Sequence, residues 1–574
     1  MADYAAANKD DQPPSPPAPA PQPPPTTNLS ILGYARVLDD SGIGVIGNFA
    51  FGFSEVAVLV SITTLYGSGL KVGGPSGSVW GFLAVWLMNT AVAYSMAEIC
   101  SAYPSAGSVY HWSAQLVPLR YASLASYCTG WINWVGNASG NAAVAYSFSL
   151  FLKAALQASR IPAYSDAAAV IISIGVSWVW TLLNWISVAD LAAFNNGAAL
   201  FHGASLVIII VVLFATAQPL QSASWVFFDY ENLTGFTDDA KEKPLNDKSY
   251  VGAMGVLTAC YYFSGFEASA HMAEETQGAE INAPNGIIST VFSTGMGGLV
   301  YLLALLFATN DFSHIMATDD AAVANSGMTT CAAANVFINS CGWRCGSVLT
   351  WMVCINLFFA GISCAAVTGR ITFALMRDNA FPFSEYFKQV DPVIRSPVRA
   401  INFVAFFVSL LLLLLLNPDG STAFSNIIGL CTIGFQVSYA LPILFKVLYG
   451  ESRDVDFPAN IPRSLGAWSR PLGCVSSVWL CGTSCLFFFP ISGPLTLKTN
   501  NWLSVVVGGC VLLAVGYWYL GDGKHKFQGP KRVHVDSEDT ALPVSTDESS
   551  PKPSPDSVSV YEEPETRNPL HEDL

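Results

Sequence analysis

The stretch VGAMGVLTACYYFSGFEASAHMA, residues 251–273, decides how the chain is read. Residues 251–263 are apolar enough for a membrane interior but too few to cross one, since a spanning helix needs about 20 mainly apolar residues. Carried on to residue 273 the segment is long enough, yet it then holds Gly265, Glu267 and His271 where hydrocarbon should be. A carboxylate at bilayer mid-depth is costly, and such residues mark ion or substrate pathways by default.

Composition favours the membrane reading. Of 574 residues 52% are hydrophobic and only 12% charged, against roughly 25% charged in soluble domains, and the mean hydropathy is +0.43. The formal net charge of −15 reflects acidic residues crowded into loops and the C-terminal tail, and the absence of a basic face sets nucleic acid aside as a partner. Nine of the thirteen cysteines, from Cys100 to Cys510, fall in apolar runs, where a thiol behaves as a small hydrophobe. Cys331, Cys341 and Cys345 share one polar segment, 309–345, and two of them are able to pair. No CxxC pair or HExxH motif suggests a metal, so neither metal nor cofactor is expected.

Twelve membrane-length intervals follow, at about 43–67, 77–102, 122–152, 166–187, 190–216, 250–273, 285–309, 346–376, 399–416, 422–448, 472–491 and 501–521. Residues 1–40, with the run PPSPPAPAPQPPP, and residues 524–574, rich in Ser, Pro, Asp and Glu, read as disordered tails around a domain at 41–523. The terminal HEDL only scrambles a retrieval signal. With both ends cytosolic, fifteen Lys and Arg fall on inner loops and eight on outer ones, as the positive-inside rule requires. Asn232-Leu233-Thr234 then lies in an outer loop, 217–249, as a glycosylation acceptor. The plasma membrane is the expected location, with vacuolar or Golgi membranes compatible.

The first interval repeats the oddity of the sixth. Gly52-Phe53-Ser54-Glu55 stands at mid-depth in one, Ser264-Gly265-Phe266-Glu267 in the other. Glycine-interrupted segments at matching places in two halves point to a transporter binding site at the bilayer midplane. Unwound backbone is tolerated there only where it lines a cavity or meets a ligand. Freed N–H groups at a half-helix N-terminus suit a substrate carboxylate, and a glutamate beside them suits an ammonium or a coupling proton. The bland reading is a close-packing glycine beside a structurally paired acid. Trp131, Asn133, Tyr261 and Phe266 are candidate walls for an amine, by cation–π contact in the case of the aromatics. No Ser/His/Asp cluster, paired aspartates or GxxxxGK[ST] loop supports an intramembrane enzyme or an ATP-driven pump.

The sixth-segment run Phe266-Glu267-Ala268-Ser269-Ala270-His271-Met272-Ala273-Glu274-Glu275-Thr276 resembles the signature of the amino acid–polyamine–organocation superfamily. So do Ala97-Glu98-Ile99-Cys100-Ser101-Ala102-Tyr103-Pro104-Ser105-Ala106-Gly107 and the run from Gly369-Arg370 to Pro382. The branch most like it is that of the fungal GABA and choline permeases and the plant bidirectional amino-acid transporters. The resemblance spans about residues 30–525 and implies an all-α membrane protein of LeuT-like fold. That fold comprises 5+5 inverted repeats at about 41–216 and 250–448, peripheral helices at about 472–521 and broken helices 1 and 6.

By the same resemblance the chain is a secondary permease, not an enzyme, moving amino acids or GABA by alternating access. A choline or polyamine carrier and a transporter-like nutrient sensor are the alternatives. The expected substrate-binding residues are Gly52, Phe53, Ser54, Glu55, Ser264, Gly265, Phe266, Glu267 and Trp131. Glu274 and Glu275 are expected to pair with Arg370 or Arg377 as an inner gate. Some proton-coupled members place a basic residue in the volume that sodium fills in relatives. His202, seven residues after Asn195, is similar to that residue and is expected to carry coupling with Glu267, the partner being a proton.

Overall fold

The computed structural model describes residues 43–530 apart from 187, 238–241, 317–327, 392–393, 395, 417–419, 453–454, 456, 459, 495, 497–500, 521–522 and 528. The tails expected at 1–40 and beyond 530 lie outside the described residues. Everything described belongs to one compact unit, helical throughout, with two isolated β-bridges (Ile43 to Thr276, Val72 to Asn232) as its extended pairing.

Each of the twelve intervals falls on helix. The first is split into α1 (Val45–Val56) and α2 (Val58–Lys71). There follow α3 (Gly74–Ala102), the short α4 (Ser108–Gln115), α5 (Leu119–Ala158), α6 (Asp166–Leu183), α7 (Val188–Thr216) and the short α8 (Ala223–Phe228). The sixth interval is likewise split, into α9 (Lys248–Tyr262) and a four-residue α10 (Ala268–His271). The chain continues through α11 (Ala279–Phe307), the short α12 (Phe312–Met316), α13 (Ala332–Arg377), the short α14 (Ser384–Phe387), α15 (Val398–Leu413), α16 (Gly420–Tyr449), α17 (Ser469–Leu486), α18 (Leu503–Leu520) and the short α19 (Gly523–Lys526). Among the described residues nine helical segments, α1–α2 taken as one, meet both the length and the hydropathy expected of a span.

Burial sorts centre from periphery. The best apolar windows of α1–α2 and α16 are 72% and 78% buried, that of α18 only 11%. α13 and α16 both lie along α5, α11 lies along α3, and α1 is wedged between α7 and α11. The segment expected as a polar loop before residue 346 is instead helix from Ala332, bent at Gly342 (φ 77°). Cys331 precedes that helix, Cys341 and Cys345 flank its bend, and all three thiols are free, correcting the idea of a disulfide. Short α19 lies in the stretch read as tail, with Phe527 buried against Tyr127 and Trp518 at ring-centroid distances of 5.4 and 6.1 Å.

Candidate functional site

Two interruptions of helix meet at the centre of the bundle. The second is where the sequence puts it: residues 263–267 leave the α-helix and Gly265 sits at φ +90°, a conformation that side-chain-bearing residues rarely adopt. The first is displaced. Ala57, not Gly52, leaves the helix, at φ 41° and ψ 59°, and a left-handed alanine costs about 1–2 kcal/mol. Ser61 offsets part of that cost, its Oγ donating to the carbonyls of Val56 (2.8 Å) and Ala57 (3.3 Å). Gly52 lies inside α1, where a Cβ would strike the Thr290 and Ser269 hydroxyls. It is a close-packing residue, the bland alternative.

Glu55 joins the two breaks. Its Cγ and Oε1 lie 3.2 Å from where a Gly265 Cβ would stand, so the missing side chain is the space the carboxylate occupies. Its Oε2 is buried and has no hydrogen-bond partner. Around it is a cavity lined by Glu55, Ala57, Ser61, Thr64, Asn137, Tyr261, Ser264, Gly265 and Cys364, among others. About 40 Å³ of it is open to the centres of water-sized spheres, where a single water needs about 10–15 Å³. Asn137 Oδ1 and Thr64 Oγ1, both in residues lining the cavity, are also unpartnered. The lining holds one carboxylate and no Lys, Arg or His. α2 begins at Val58, directly after the Ala57 turn that lines the cavity. The first amides of a helix lack a carbonyl one turn back; here those of Val60 and Ser61 bond the Ala57 carbonyl at 2.8 and 3.0 Å.

Glu267 stands just behind this cavity. It is 1% exposed, accepts from Asn133 Nδ2 at 3.2 Å and from the Tyr439 hydroxyl, and has His271 Nε2 at 3.9 Å. Tyr439 also receives the Gly265 amide (3.3 Å) and packs on Phe266 (4.9 Å between rings). Phe266 thus braces the break rather than facing the cavity. Asn133 bonds Ser438 Oγ (3.0 Å), while Asn141, two turns further along α5, bonds the Cys364 carbonyl (3.1 Å) and Thr368 Oγ1 (2.5 Å). Asn133, Asn137 and Asn141 form a polar ladder at four-residue spacing. Of the three only Asn133 is expected as a wall for an amine, although N-x₃-N-x₃-N inside an apolar run is a visible signal.

Three expected positions lie elsewhere. Phe53 turns toward α7, its ring edge-on to His202 at 5.0 Å. Ser54 is buried with its hydroxyl unpartnered, outside the cavity lining. Trp131 lines a separate groove beside α18, donates to the Ala380 carbonyl (3.2 Å) and packs on Phe381 (4.7 Å). The α5 helical phase carries it about 200° from Asn133, so it is not a wall of the cavity. His202 is 3% exposed and stands beside the Asn356 side chain of α13. Asn195, two turns before His202, accepts from Ser363 Oγ at 2.5 Å. Asn232 accepts from the Thr234 amide (3.1 Å) and hydroxyl (2.6 Å) and donates to Asn246 Oδ1 (2.7 Å), half-buried in its loop.

Beyond α10 the bundle is tied shut. Glu275 pairs with Arg370 at 3.3 Å, both essentially buried. Glu274 pairs with Arg377 at 3.4 Å and accepts from the Ala106 amide at 3.1 Å. His271 Nδ1 meets the Ala106 carbonyl at 2.9 Å, and Glu98 takes bonds from Lys446, Ser469 Oγ (2.7 Å) and the Leu465 amide (3.0 Å). At the other end a vestibule with about 410 Å³ open to water-sized centres is lined by Lys71, Thr258, Asn426 and Tyr261. Tyr261 lines both spaces and so stands between them.

A bundle of long apolar helices around a small polar cavity, tied at one end and open to a vestibule at the other, is the build of an integral membrane transporter. Comparison with known proteins makes this specific: the Amino acid permease family profile matches residues 43–512, and the chain belongs to that family, within the amino acid–polyamine–organocation superfamily. It is 33% identical over 516 residues to an amino-acid permease, BAT1, of Arabidopsis thaliana, covering 88% of this chain and 95% of the relative. It is 32% identical over 518 residues to a BAT1 homolog of Oryza sativa subsp. japonica, covering 87% and 94%. A putative polyamine transporter of Candida albicans is 28% identical over 508 residues, covering 88% of each. These relatives are named for transport, and the chain is a permease rather than an enzyme.

Proposed function

We propose that the chain is a secondary active transporter that carries a small amino acid or GABA by alternating access. The observation that carries this reading is Glu55, a carboxylate with one buried oxygen unpartnered, held between two helix breaks. The substrate ammonium docks on Glu55, with Asn137 and Thr64 as further acceptors, and its carboxylate lies toward the start of α2. Glu267 holds Gly265 and Phe266 in place through Tyr439 and, with His202, carries a coupling proton. Gly52, Phe53 and Ser54 support the first break from behind.

In this reading the twelve intervals all span the membrane. Segments 41–216 and 250–448 are inverted LeuT-like repeats, and α17 and α18 are peripheral. Both ends of the chain, 1–40 and 524–574, lie on the cytosolic side. The Glu275–Arg370 end faces the cytosol and the vestibule faces outward, most simply from a plasma membrane. Asn232 is then an outer glycosylation site, and Asn232→Gln removes a glycosidase-sensitive mass.

The lining favours one rival. A cavity with a carboxylate and no basic side chain suits a choline- or polyamine-like cation as well as the ammonium end of a zwitterion. Liposomes holding the purified protein, with radiolabelled GABA, alanine, choline and putrescine in competition, separate the two. Uptake blocked by GABA or alanine supports the zwitterion. Block by choline or putrescine alone replaces it with the cation. Binding with no uptake of any of them points to a sensor.

A further inference from the structure

We infer a binding site for an anionic phospholipid in the groove between α5, α16 and α18. The groove is walled by Leu124, Tyr127, Cys128 and Trp131 of α5, Leu430 and Ile433 of α16, and the face of α18 from Val507 to Tyr519. It is apolar along its length and encloses about 110 Å³. At 1.5 Å per residue, residues 124–135 and 507–519 each rise roughly 17–18 Å. Half of a hydrocarbon core is about 15 Å. The groove therefore has the depth of one leaflet, which matches an acyl chain rather than a small solute.

Charge names the headgroup. α5 starts and α18 ends at the same mouth of the groove. Arg120, one turn before Leu124, is exposed there with its guanidinium 4.5 Å from the Tyr121 ring centroid. After Tyr519 the chain folds back against α5, Phe527 packing on Tyr127 and Gly529 lying against Ser123 and Ser126. That return brings exposed Lys524, His525 and Lys526 to the same mouth. Among the described residues of 119–131 and 507–530 there is no carboxylate. Glu451, on the loop after α16, is paired with Arg470 at 3.0 Å. An apolar slot of one-leaflet depth with a basic collar is the arrangement by which membrane proteins hold anionic headgroups at a cytosolic surface.

The occupant would bear on Trp131, which grips Ala380 and Phe381 just beyond Arg377 of the Glu274 pair. The site thus touches the closed end of the transporter without entering its cavity. Only the naming of the leaflet rests on the orientation proposed above.

Native mass spectrometry of the full chain in detergent tests the site independently of transport. Phosphatidylglycerol and phosphatidylcholine with the same chains are offered at equal concentration, with glycerol phosphate as the headgroup alone. Retention of phosphatidylglycerol over phosphatidylcholine is expected, with no retention of glycerol phosphate. The Arg120→Gln/Lys524→Gln variant should bind about 25-fold more weakly, from about fivefold per charge. Val511→Trp, which fills the groove from an exposed position, should abolish retention while substrate binding persists. Equal retention of the two lipids, or retention unchanged in both variants, overturns the site. So does a lipid-free dimer that protects Cys128 from alkylation, which would give the groove to a second copy of the chain.

Discussion

Replacing Glu55 by glutamine separates a ligand group from a structural one, because the two roles move affinity and stability differently. Glutamine keeps the shape that fills the notch left by Gly265, so the packing of the two breaks is retained. It removes the charge from an oxygen that has no protein partner. A hydrogen bond to a charged group contributes about 1.5–3 kcal/mol, so substrate affinity should fall roughly 10- to 150-fold. Stability without substrate should stay level or rise, since no protein contact to Oε2 is lost. Substrate at 100 times its Kd stabilises the wild type by about 2.7 kcal/mol; at the same concentration a 100-fold weaker variant gains only about 0.4 kcal/mol. Thermal unfolding with and without substrate, beside liposome uptake, reads all three quantities. A variant that keeps wild-type uptake and the full substrate-induced shift would falsify the ammonium contact. One that loses stability without substrate would show that Glu55 is a strut.

The remaining predictions sort the other residues. Gly265→Val must adopt φ +90° and displace Glu55, so it should abolish uptake while folded protein still accumulates; Gly52→Val strikes Thr290 and Ser269 and should cut yield and melting temperature instead, and the opposite pattern would restore Gly52 as the break. Glu267→Gln swaps an acceptor of the Asn133 and Tyr439 bonds for an amide and should lower transport at least tenfold across pH 5–8; normal uptake of inserted protein at every pH would remove Glu267 from the site. His202→Ala should keep substrate binding and lose accumulation driven by a pH gradient, in a transporter that works without sodium; strict sodium dependence of the wild type, or undiminished accumulation in the variant, refutes the coupling role.

Much of this arrangement is legible in the sequence because hydrocarbon tolerates few exceptions. Twelve apolar intervals, acids at 55 and 267, and acids at 274 and 275 awaiting Arg370 and Arg377 all stand out against an apolar background, and the structure pairs the last four. What is hidden is whatever depends on local geometry with no residue signature. A glycine announces a break and an alanine does not, so the left-handed turn at Ala57 is read five residues early, at Gly52. The phase of a long helix is equally hard to fix. Trp131 and Asn133 are two residues apart and so face nearly opposite ways, and the aromatic that attracts attention is the one that leaves the cavity. The Asn133, Asn137 and Asn141 ladder is the converse case, a pattern present in the letters whose meaning depends on knowing which face of α5 looks inward.

The segment between the breaks and the closed end carries a further consequence. Gly265 (φ +90°) and Gly278 (φ +55°) bound a short run that holds Glu267 behind the cavity and Glu274 and Glu275 at the tie. Its α10 helix is only four residues long and the 3₁₀ turn after it only three, so little secondary structure resists its rotation as one piece. Arg370 is 1% exposed and also donates to the Ala366 carbonyl at 3.2 Å on its own helix. It is held in α13, while the acids sit on the run between the two glycines, which Asn48 ties at Ser269 and Thr276 (2.9 Å each). Removing one member of a buried ion pair costs about 3–5 kcal/mol while the other remains buried. On the proposed reading, inward opening meets that cost unless water reaches Arg370 as the segment swings. Substrate bound at Glu55 touches the same Gly265 about which the segment would turn. On that reading the cavity at Glu55 and the Glu275–Arg370 tie stand at two ends of one run of chain, so a rearrangement of one is expected to move the other.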